Sequence, residues 1–224
     1  RPVIQKAMAT WGREKFWQYY GQTECPLTIA VLRPEDHEEE LLGACGKPSI
    51  DVEIRLVDEQ GNDVPQGEPG EIAVRAPSMM AGYHNAPELN KEMFMDGGWL
   101  RTRDIAQFDE RGFLHMKDRT SDMIITGGYN VYPKEVEDVL TAHPSIAECA
   151  VIGLKDPQWV EAVTAVVALK PDQQVDEQTL IDFVTEQVAS YKKPRKVIFT
   201  DAIPKTAVGK LNRKALRDQY AKTA

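Results

Sequence analysis

The chain contains 224 residues, 42% of them hydrophobic, with 27 Lys and Arg residues against 35 Asp and Glu residues. This composition is typical of a globular protein and excludes disordered, collagen-like and low-complexity fibrous chains. The formal net charge of −8 argues against a nucleic-acid binder.

The length is about one and a half times that of a typical domain, so we expect two domains, each with its own core. No apolar run approaches the ~18 to 20 residues of a membrane helix, so no transmembrane segment is predicted. The sequence begins Arg1-Pro2, with neither a start methionine nor a signal peptide, and we expect it to be part of a longer protein. Three widely spaced cysteines match neither a disulfide framework nor a zinc site and favour the cytoplasm.

The middle third of the chain is predicted to be β-rich. Residues 51–58 alternate apolar and charged side chains, and Gly61-Asn62 is a turn signal before a second strand at 71–75. A hairpin is predicted over 106–116, with its turn at 109–112. Because the alternation leaves one face of these strands polar, we expect a barrel-like sheet with one solvated face.

The pattern changes to mixed helix and strand after Arg119. The predicted elements are a helix from Pro133 to His143, strands at 147–152 and 162–169, a helix capped by Asp176, and a strand at 197–200. This order indicates a small α+β domain, and the polar segment 117–121 is the predicted boundary.

Positive charge is concentrated near the C-terminus. Nine basic residues and one acid, Asp201, lie between positions 192 and 217, which gives this segment a charge of +8 and leaves −16 for the remainder. The basic residues are Lys192, Lys193, Arg195, Lys196, Lys205, Lys210, Arg213, Lys214 and Arg217. A solvated basic face and a site for a polyphosphate are both consistent with this run.

The segment Tyr20-Gly21-Gln22-Thr23-Glu24 places a hydroxyl and a carboxylate after a glycine, which lets the backbone approach a ligand closely. A hydroxyl can bond a phosphate oxygen, and a carboxylate can hold Mg²⁺, which prefers oxygen ligands. A plain turn with a surface glutamate is the alternative, and it is favoured unless other motifs support the site.

Three later segments supply such support. Asp104 follows a glycine turn and could chelate two vicinal hydroxyls, as carboxylates do at ribose sites, although a strand start is the alternative. Asp118-Arg119 offers a mobile joint, and Gly127-Gly128 offers either a backbone surface for a slender ligand or a tight structural turn. The segment 204–210 lacks the spacing of a phosphate loop and is interpreted as an exposed loop that presents Lys210.

In this order and spacing, the four segments resemble the C-terminal half of the adenylate-forming family of acyl-CoA synthetases, adenylation domains and luciferases. That family carries a YGxTE segment, a GE and GY pair (here Gly70-Glu71 and Gly82-Tyr83), a TGD segment, a DR hinge with a glycine loop, and a terminal PxTxxGK lysine. The resemblance spans essentially the whole chain. One departure is Arg103, which stands where the family's TGD segment has glycine and so puts the local backbone in question.

The resemblance implies an α/β and α+β fold: the end of a large N-terminal domain with a β-barrel-like subdomain, followed by a small α+β C-terminal domain. Residues 1–117 would complete the large domain, with 1–45 ending an α/β subdomain and 46–117 forming the β-rich subdomain. Residues 118–224 would form the small AMP-binding domain. The family's glycine-rich phosphate loop and most of its large domain are expected to precede Arg1, so the 224 residues alone are expected to be inactive.

The resemblance also implies a reaction. A carboxylic acid would be activated with ATP and Mg²⁺ to an acyl-adenylate, with release of pyrophosphate, and the acyl group would then pass to the thiol of coenzyme A with loss of AMP. In the first step Lys210 would supply a cation to the crowded phosphates, Thr23 would bond phosphate, and Glu24 would hold Mg²⁺. These are the three predicted catalytic residues.

The implied nucleotide site contains Tyr20 and Gly21 near the adenine, Asp104 on both ribose hydroxyls, and Arg119 on the ribose or phosphate. In the second step the small domain would rotate about Asp118, withdraw Lys210, and bring the glycine loop to line a pantetheine channel. The residues assigned to coenzyme A are Gly127, Gly128 and Tyr129 of that loop, with Lys193 and Arg195 assigned to its phosphates on charge alone.

Two alternatives stay open. One is an acyl-AMP ligase that loads a carrier protein, and the other is a non-catalytic remnant that binds a nucleotide or a partner. The apolar stretch after Glu24 favours a fatty or aromatic acid as substrate.

Residues 1–45 are expected to be poorly anchored, or to rely on self-association to cover the apolar side chains of Leu27, Ile29 and Val31.

Overall fold

The computed structural model describes residues 2–207 and 209–221, with the side chains of Pro2 and Leu27 outside the described part. The chain forms two compact units, Arg1–Thr120 and Ser121–Ala224. The two units divide between Thr120 and Ser121, directly after the strand that ends at Arg119.

The first unit is mainly antiparallel sheet. Its elements are α1 (Pro2–Trp11), β1 (Gln18–Gln22), β2 (Cys25–Leu32), β3 (Lys47–Pro48), β4 (Glu53–Val57), β5 (Gly70–Arg75), α2 (Pro87–Met93), β6 (Phe94–Met95), β7 (Trp99–Phe108) and β8 (Leu114–Arg119). One sheet has the order β1-β2-β3, and the other has the order β4-β5-β7-β6 with β8 also paired to β7. The predicted strands at 51–58 and 71–75 and the hairpin over 106–116 are confirmed.

Strand β2 is anchored on the larger sheet. Ile29 is completely buried and belongs to one apolar cluster with Val74 of β5, Leu100 of β7 and Met93 of α2. The expectation that Ile29 would need self-association to be covered is therefore wrong, because the β-rich part of the same unit already covers it. Val31 is half-buried, and the side chain of Leu27 lies outside the described residues.

The second unit is a sheet covered on both faces. Its elements are β9 (Ile124–Thr126), β10 (Tyr129–Val131), α3 (Pro133–Thr141), β11 (Ile146–Asp156), β12 (Val160–Leu169), α4 (Glu177–Thr185), β13 (Lys196–Phe199) and α5 (Arg213–Tyr220). The strand order is β10-β9-β12-β11, and β13 pairs in parallel with β12. The predicted helix at Pro133 is confirmed, and so is the cap of α4, where the Asp176 carboxylate accepts the Thr179 N–H.

Successive residues of β11 and β12 point to opposite faces, and both faces are apolar. On one face Val151 and Ala165 belong to a cluster with α3 and α4. On the other face Ile152 and Val166 pack with Leu216 of α5. Because both faces are covered, the two strands form continuous apolar runs rather than alternating ones.

Candidate functional site

Three of the predicted nucleotide-binding residues meet in the first unit. Strand β1 carries Tyr20, β7 carries Asp104, and Arg119 is the last residue of β8, directly opposite Asp104 in the strand register. The Tyr20 hydroxyl donates a hydrogen bond of 2.7 Å to Asp104 Oδ2, and Arg119 Nε lies 3.4 Å from Asp104 Oδ1. Residues separated by 84 positions along the chain are thus joined at one carboxylate.

Burial and the neighbouring carboxylate keep the Tyr20 hydroxyl as a hydrogen-bond donor, with Asp104 as its acceptor. Burial raises the pKa of Tyr20 well above its usual value, and the charge of Asp104 and the hydrogen bond to it raise the pKa further. Tyr20 therefore stays protonated at neutral pH and donates to Asp104. The Asp104 side chain is almost fully buried, while the Arg119 side chain is 63% exposed. A recessed carboxylate with an exposed cation at its rim can accept hydrogen bonds from neighbouring hydroxyls of a ligand.

Asp104 follows a residue in an unusual backbone conformation. Arg103, at the position where the family's TGD segment has glycine, has φ +60°. The left-handed conformation that a glycine adopts freely is therefore kept here by an arginine. The Arg103 N–H donates to Glu71 Oε1 at 2.9 Å, its carbonyl accepts from the backbone N–H and hydroxyl of Thr120 at 2.9 and 3.0 Å, and its guanidinium pairs with Glu92 at 2.7 Å.

Glu24 lies in the turn after β1 with one of its oxygens engaged. The Tyr83 hydroxyl donates to Glu24 Oε1 at 2.7 Å, and this bond raises the pKa of Tyr83. Thr23, its neighbour, is exposed, and Gly21 lies at the point where the β1–β2 register shifts. No group of three or more His, Cys, Asp or Glu side chains that could hold a metal ion occurs among the described residues. A carboxylate oxygen is a ligand that Mg²⁺ accepts, and Mg²⁺ commonly binds through one or two carboxylates together with phosphate oxygens.

The glycine loop of the second unit is a two-residue hairpin turn. Gly127 and Gly128 have φ values of +56° and +82° and join β9 to β10, with Thr126 opposite Tyr129. Two consecutive positive φ values are the requirement of the tight hairpin turn that fits the twist of two strands. A Cβ at Gly128 would meet no atom of the described residues within 4 Å, so they leave this side of the turn open.

Trp159 supports the other side of the loop, a role that sequence reasoning missed. Its carbonyl accepts the Gly127 N–H at 2.9 Å, and a Cβ at Gly127 would lie 3.0 Å from its ring. The Arg195 guanidinium lies 3.5 Å from the centre of the same ring. Tyr129 stacks on Tyr191 with ring centres 4.7 Å apart. The only available signal was an isolated Trp between two apolar runs.

Lys210 ends a small hairpin. The Thr206 N–H donates to the Lys210 carbonyl at 2.7 Å, and Lys205 forms a β-bridge with Leu211. Gly209, with φ +80°, completes the turn, while Val208 lies outside the described residues. Lys210 is exposed, as the sequence predicted.

Ion pairs within the second unit engage much of the C-terminal basic run. Lys192 pairs with Glu135 at 2.7 Å, and Lys205 pairs with Glu148 at 2.9 Å. The other pairs join Arg213 to Glu137 and Asp122, and Arg217 to Asp122. Four of the nine basic residues are thus bound to acids of the same unit. Lys193, Arg195 and Lys210 form no ion pair with any described residue. The positive charge available to a ligand is therefore smaller than the nine basic residues of this segment suggest, and it is confined to fewer positions.

Within the part of the chain that the structure describes, no helix combines the length and the apolar character needed to cross a membrane.

Two family models match the chain. The model described as AMP-binding enzyme matches residues 1–84, and the model described as the C-terminal domain of AMP-binding enzymes matches residues 135–210. Together they cover most of both units.

Similar proteins include a medium/long-chain-fatty-acid–CoA ligase of Mycobacterium tuberculosis, 43% identical over 92% of this chain and 37% of that protein. A fatty acid–[acyl-carrier-protein] ligase of Streptomyces coeruleorubidus is 38% identical over 97% of this chain and 42% of that protein. Among solved structures, o-succinylbenzoate CoA synthetase of Bacillus subtilis in complex with its acyl-adenylate intermediate is 39% identical, with a TM-score of 0.85 over 97% of this chain and 43% of that one. The chain spans about two fifths of the length of the curated relatives it matches.

Proposed function

The chain belongs to the AMP-binding enzyme family, and we propose that it works as the C-terminal part of an AMP-forming acid–thiol ligase. In this proposal the full-length enzyme activates a carboxylic acid, fatty or aromatic, with ATP and transfers the acyl group to coenzyme A. The observation that carries the proposal is the convergence of Tyr20, Asp104 and Arg119, because this group offers a recessed carboxylate to the two hydroxyls of a ribose.

The nucleotide site is assigned residue by residue. Asp104 accepts hydrogen bonds from the ribose hydroxyls, and Tyr20, whose hydroxyl already bonds Asp104, lies along the adenine side together with Gly21. Arg119 carries an exposed cation at the same carboxylate and is suited to the ribose or to phosphate. ATP is the nucleotide used and AMP is the one released.

Adenylation requires positive charge at the phosphates. Thr23 donates its hydroxyl to a phosphate oxygen, and Glu24 is the carboxylate for Mg²⁺, a hard cation that fits an oxygen donor beside a triphosphate. Glu24 would hold Mg²⁺ beside the phosphates, where the ion would supply neutralisation of their charge. Lys210 supplies a second cation from its exposed hairpin, and its hydrogen-bonded turn limits the positions that its backbone can adopt.

Thiol transfer is assigned to the second unit. Gly127 and Gly128 are assigned to the pantetheine of coenzyme A, with the backbone uncovered at Gly128 and Tyr129 beside it. Lys193 and Arg195 are assigned to its phosphates, since neither forms an ion pair with a described acid. Asp118, near the end of β8, is proposed as the hinge for the change between the two half-reactions.

A second candidate is an acyl-AMP ligase that loads a carrier protein, because one relative is a fatty acid–[acyl-carrier-protein] ligase. The two candidates share adenylation and differ in the thiol that accepts the acyl group.

We further propose a cytoplasmic location, which agrees with three free cysteines, of which Cys25 and Cys149 are buried. Burial also raises the pKa of the Cys149 thiol to about 11, so it stays protonated and unreactive.

A pyrophosphate-release assay of the full-length protein with a panel of fatty and aromatic acids tests the proposal. We expect release that depends on the acid and on Mg²⁺, and AMP formation that is stimulated by free coenzyme A. Stimulation only by an acyl carrier protein would select the second candidate. Absence of acid-dependent release with every acid would favour a non-catalytic remnant. The 224 residues alone are expected to release none, because their sequence lacks the family's glycine-rich phosphate loop.

A further inference from the structure

A buried carboxylate lies directly beside the ribose-site strand. Glu71 of β5 is only 7% exposed, and burial of a charge is costly unless the charge is paired and hydrogen-bonded. Its Oε2 accepts from Arg101 Nε at 2.8 Å, and its Oε1 accepts from the backbone N–H of Arg103 at 2.9 Å. Both donors belong to the residues of β7 that lead to Asp104.

These bonds occur where the β5–β7 ladder is interrupted. Glu71 pairs with Ile105 and Ala73 pairs with Arg101, so three residues of β7, 102 to 104, lie opposite a single residue of β5. Side chains replace the missing ladder bonds. The Thr102 hydroxyl donates to the Ile72 carbonyl at 2.9 Å and accepts the Asp104 N–H at 3.2 Å, while Glu71 accepts the N–H of the bulged Arg103.

The bulge also contains the left-handed residue. Arg103 has φ +60°, a conformation that crowds the Cβ of an L-residue and needs support from its surroundings. Glu71 fixes the N–H of this residue, and Thr120 fixes its carbonyl. Rotation of Arg103 back to an extended conformation would turn the next peptide and with it the carboxylate of Asp104.

We propose that Glu71 is a positioning residue for nucleotide recognition: it holds Arg103 in the left-handed conformation and thereby directs Asp104 at the ribose hydroxyls. This inference rests on the proposed function, in which Asp104 binds the ribose. If Glu71 only stabilised the sheet, its removal would not change how strongly the site discriminates between sugars. A positioning role predicts that it does.

The test is the preference for ATP over 2′-deoxy-ATP, measured as the ratio of kcat/KM values in the full-length protein. Glu71→Ala is expected to lower this ratio roughly tenfold, since a hydrogen bond to a charged group contributes about that factor or more, with the effect mainly in KM. Glu71→Gln is expected to recover part of the ratio, because its amide oxygen can still accept the Arg103 N–H. Glu53→Ala removes a carboxylate that also pairs with an arginine, Arg75, in the same sheet, and should leave the ratio unchanged.

A second variant covers the case in which Glu71→Ala folds poorly. In Glu71→Ala/Arg103→Gly, glycine adopts the left-handed conformation without support, so the ratio should return toward that of the unmodified protein. If Glu71→Ala lowers activity but leaves the ratio unchanged, or if glycine fails to restore a lowered ratio, the inference is overturned. If Asp104→Ala also leaves the ratio unchanged, the ribose assignment fails, and with it the proposed function of this site.

Discussion

The bulge at Arg103 in the first unit and the glycine loop of the second unit both depend on positive φ angles, but they maintain them differently. Arg103 is held in this conformation because Glu71 accepts its N–H and Thr120 donates to its carbonyl, next to an almost fully buried Asp104. Gly127 and Gly128 adopt it freely, and Gly128 faces open space. The bulge is therefore suited to hold one geometry, whereas the loop leaves its backbone uncovered at Gly128.

The largest effect is expected at Lys210, an exposed cation of the second unit. Lys210→Ala should slow adenylation by about 3 to 4 kcal/mol in activation free energy, or a few hundredfold, because one preorganised charge at the phosphates is lost. Acyl transfer from a pre-made adenylate should be largely retained. The two half-reactions are measured separately as pyrophosphate release and thioester formation. Lys214→Ala, in the same basic run, is the matched control, and equal loss of both half-reactions in Lys210→Ala would refute its assignment to adenylation.

The next largest effect is expected at Asp104, the buried carboxylate that is assigned to the ribose. Asp104→Ala should raise the KM for ATP by roughly 10- to 100-fold with little change in kcat, because ribose contacts are made in the ground state and the transition state alike. Steady-state kinetics at varied ATP concentration measure both constants. Asp63→Ala, which removes an exposed carboxylate paired with Arg55, is the control. A lower kcat at unchanged KM would contradict the ribose assignment.

A smaller effect distinguishes the two glycines of the loop. Gly128→Ala should cost about 1 kcal/mol in unfolding free energy, because alanine disfavours its positive φ. Gly127→Ala should cost more, since its Cβ would also lie 3.0 Å from the Trp159 ring. Denaturant unfolding monitored by circular dichroism measures both.

Gly112→Ala is the matched control for strain alone, since Gly112 has φ +80° and an open Cβ position in the first unit. If Gly127→Ala proves no more costly than Gly128→Ala and Gly112→Ala, Trp159 does not restrict the loop.

The smallest effect is expected at Arg103. Arg103→Gly should stabilise the protein by about 0.5 to 1 kcal/mol, because relief of the left-handed strain outweighs the greater entropy of glycine in the unfolded chain. Arg103→Ala keeps the strain and removes the exposed pair with Glu92, so it should be neutral or slightly destabilising. Thermal unfolding compares the three proteins. Equal melting temperatures for the glycine and alanine variants would mean that the bulge stores no strain.

Local elements were predictable because their signals lie within a few residues of one another. The periodicity of α3, the Asp176 cap of α4 and the turn at 109–112 each depend on short-range geometry, and all three are present. Helices α1, α2 and α5 and strands β1 and β2 were missed. Ile29 of β2, Met93 of α2 and Leu216 of α5 pack against distant elements, and such packing is not visible in local periodicity.

The order of the motifs along the chain was enough to indicate the family and to select Tyr20, Asp104, Arg119 and Lys210 as candidates. Charge counting was less informative, because it could not show that Arg213 and Arg217 bind Asp122 about 90 positions away. Trp159 escaped notice for the same reason, since its partners Gly127 and Arg195 are distant in sequence.

The sequence by itself determined the alternating strands, helix α3, the cap of α4, the glycine turns and the candidate residues, because backbone propensity and side-chain chemistry are local properties. Only the tertiary structure decided that Tyr20 donates to Asp104, that Glu71 supports Arg103, and that much of the basic run is neutralised by acids of its own unit. These contacts join residues 30 or more positions apart, and strand register and burial, rather than any local pattern, bring them within hydrogen-bonding distance.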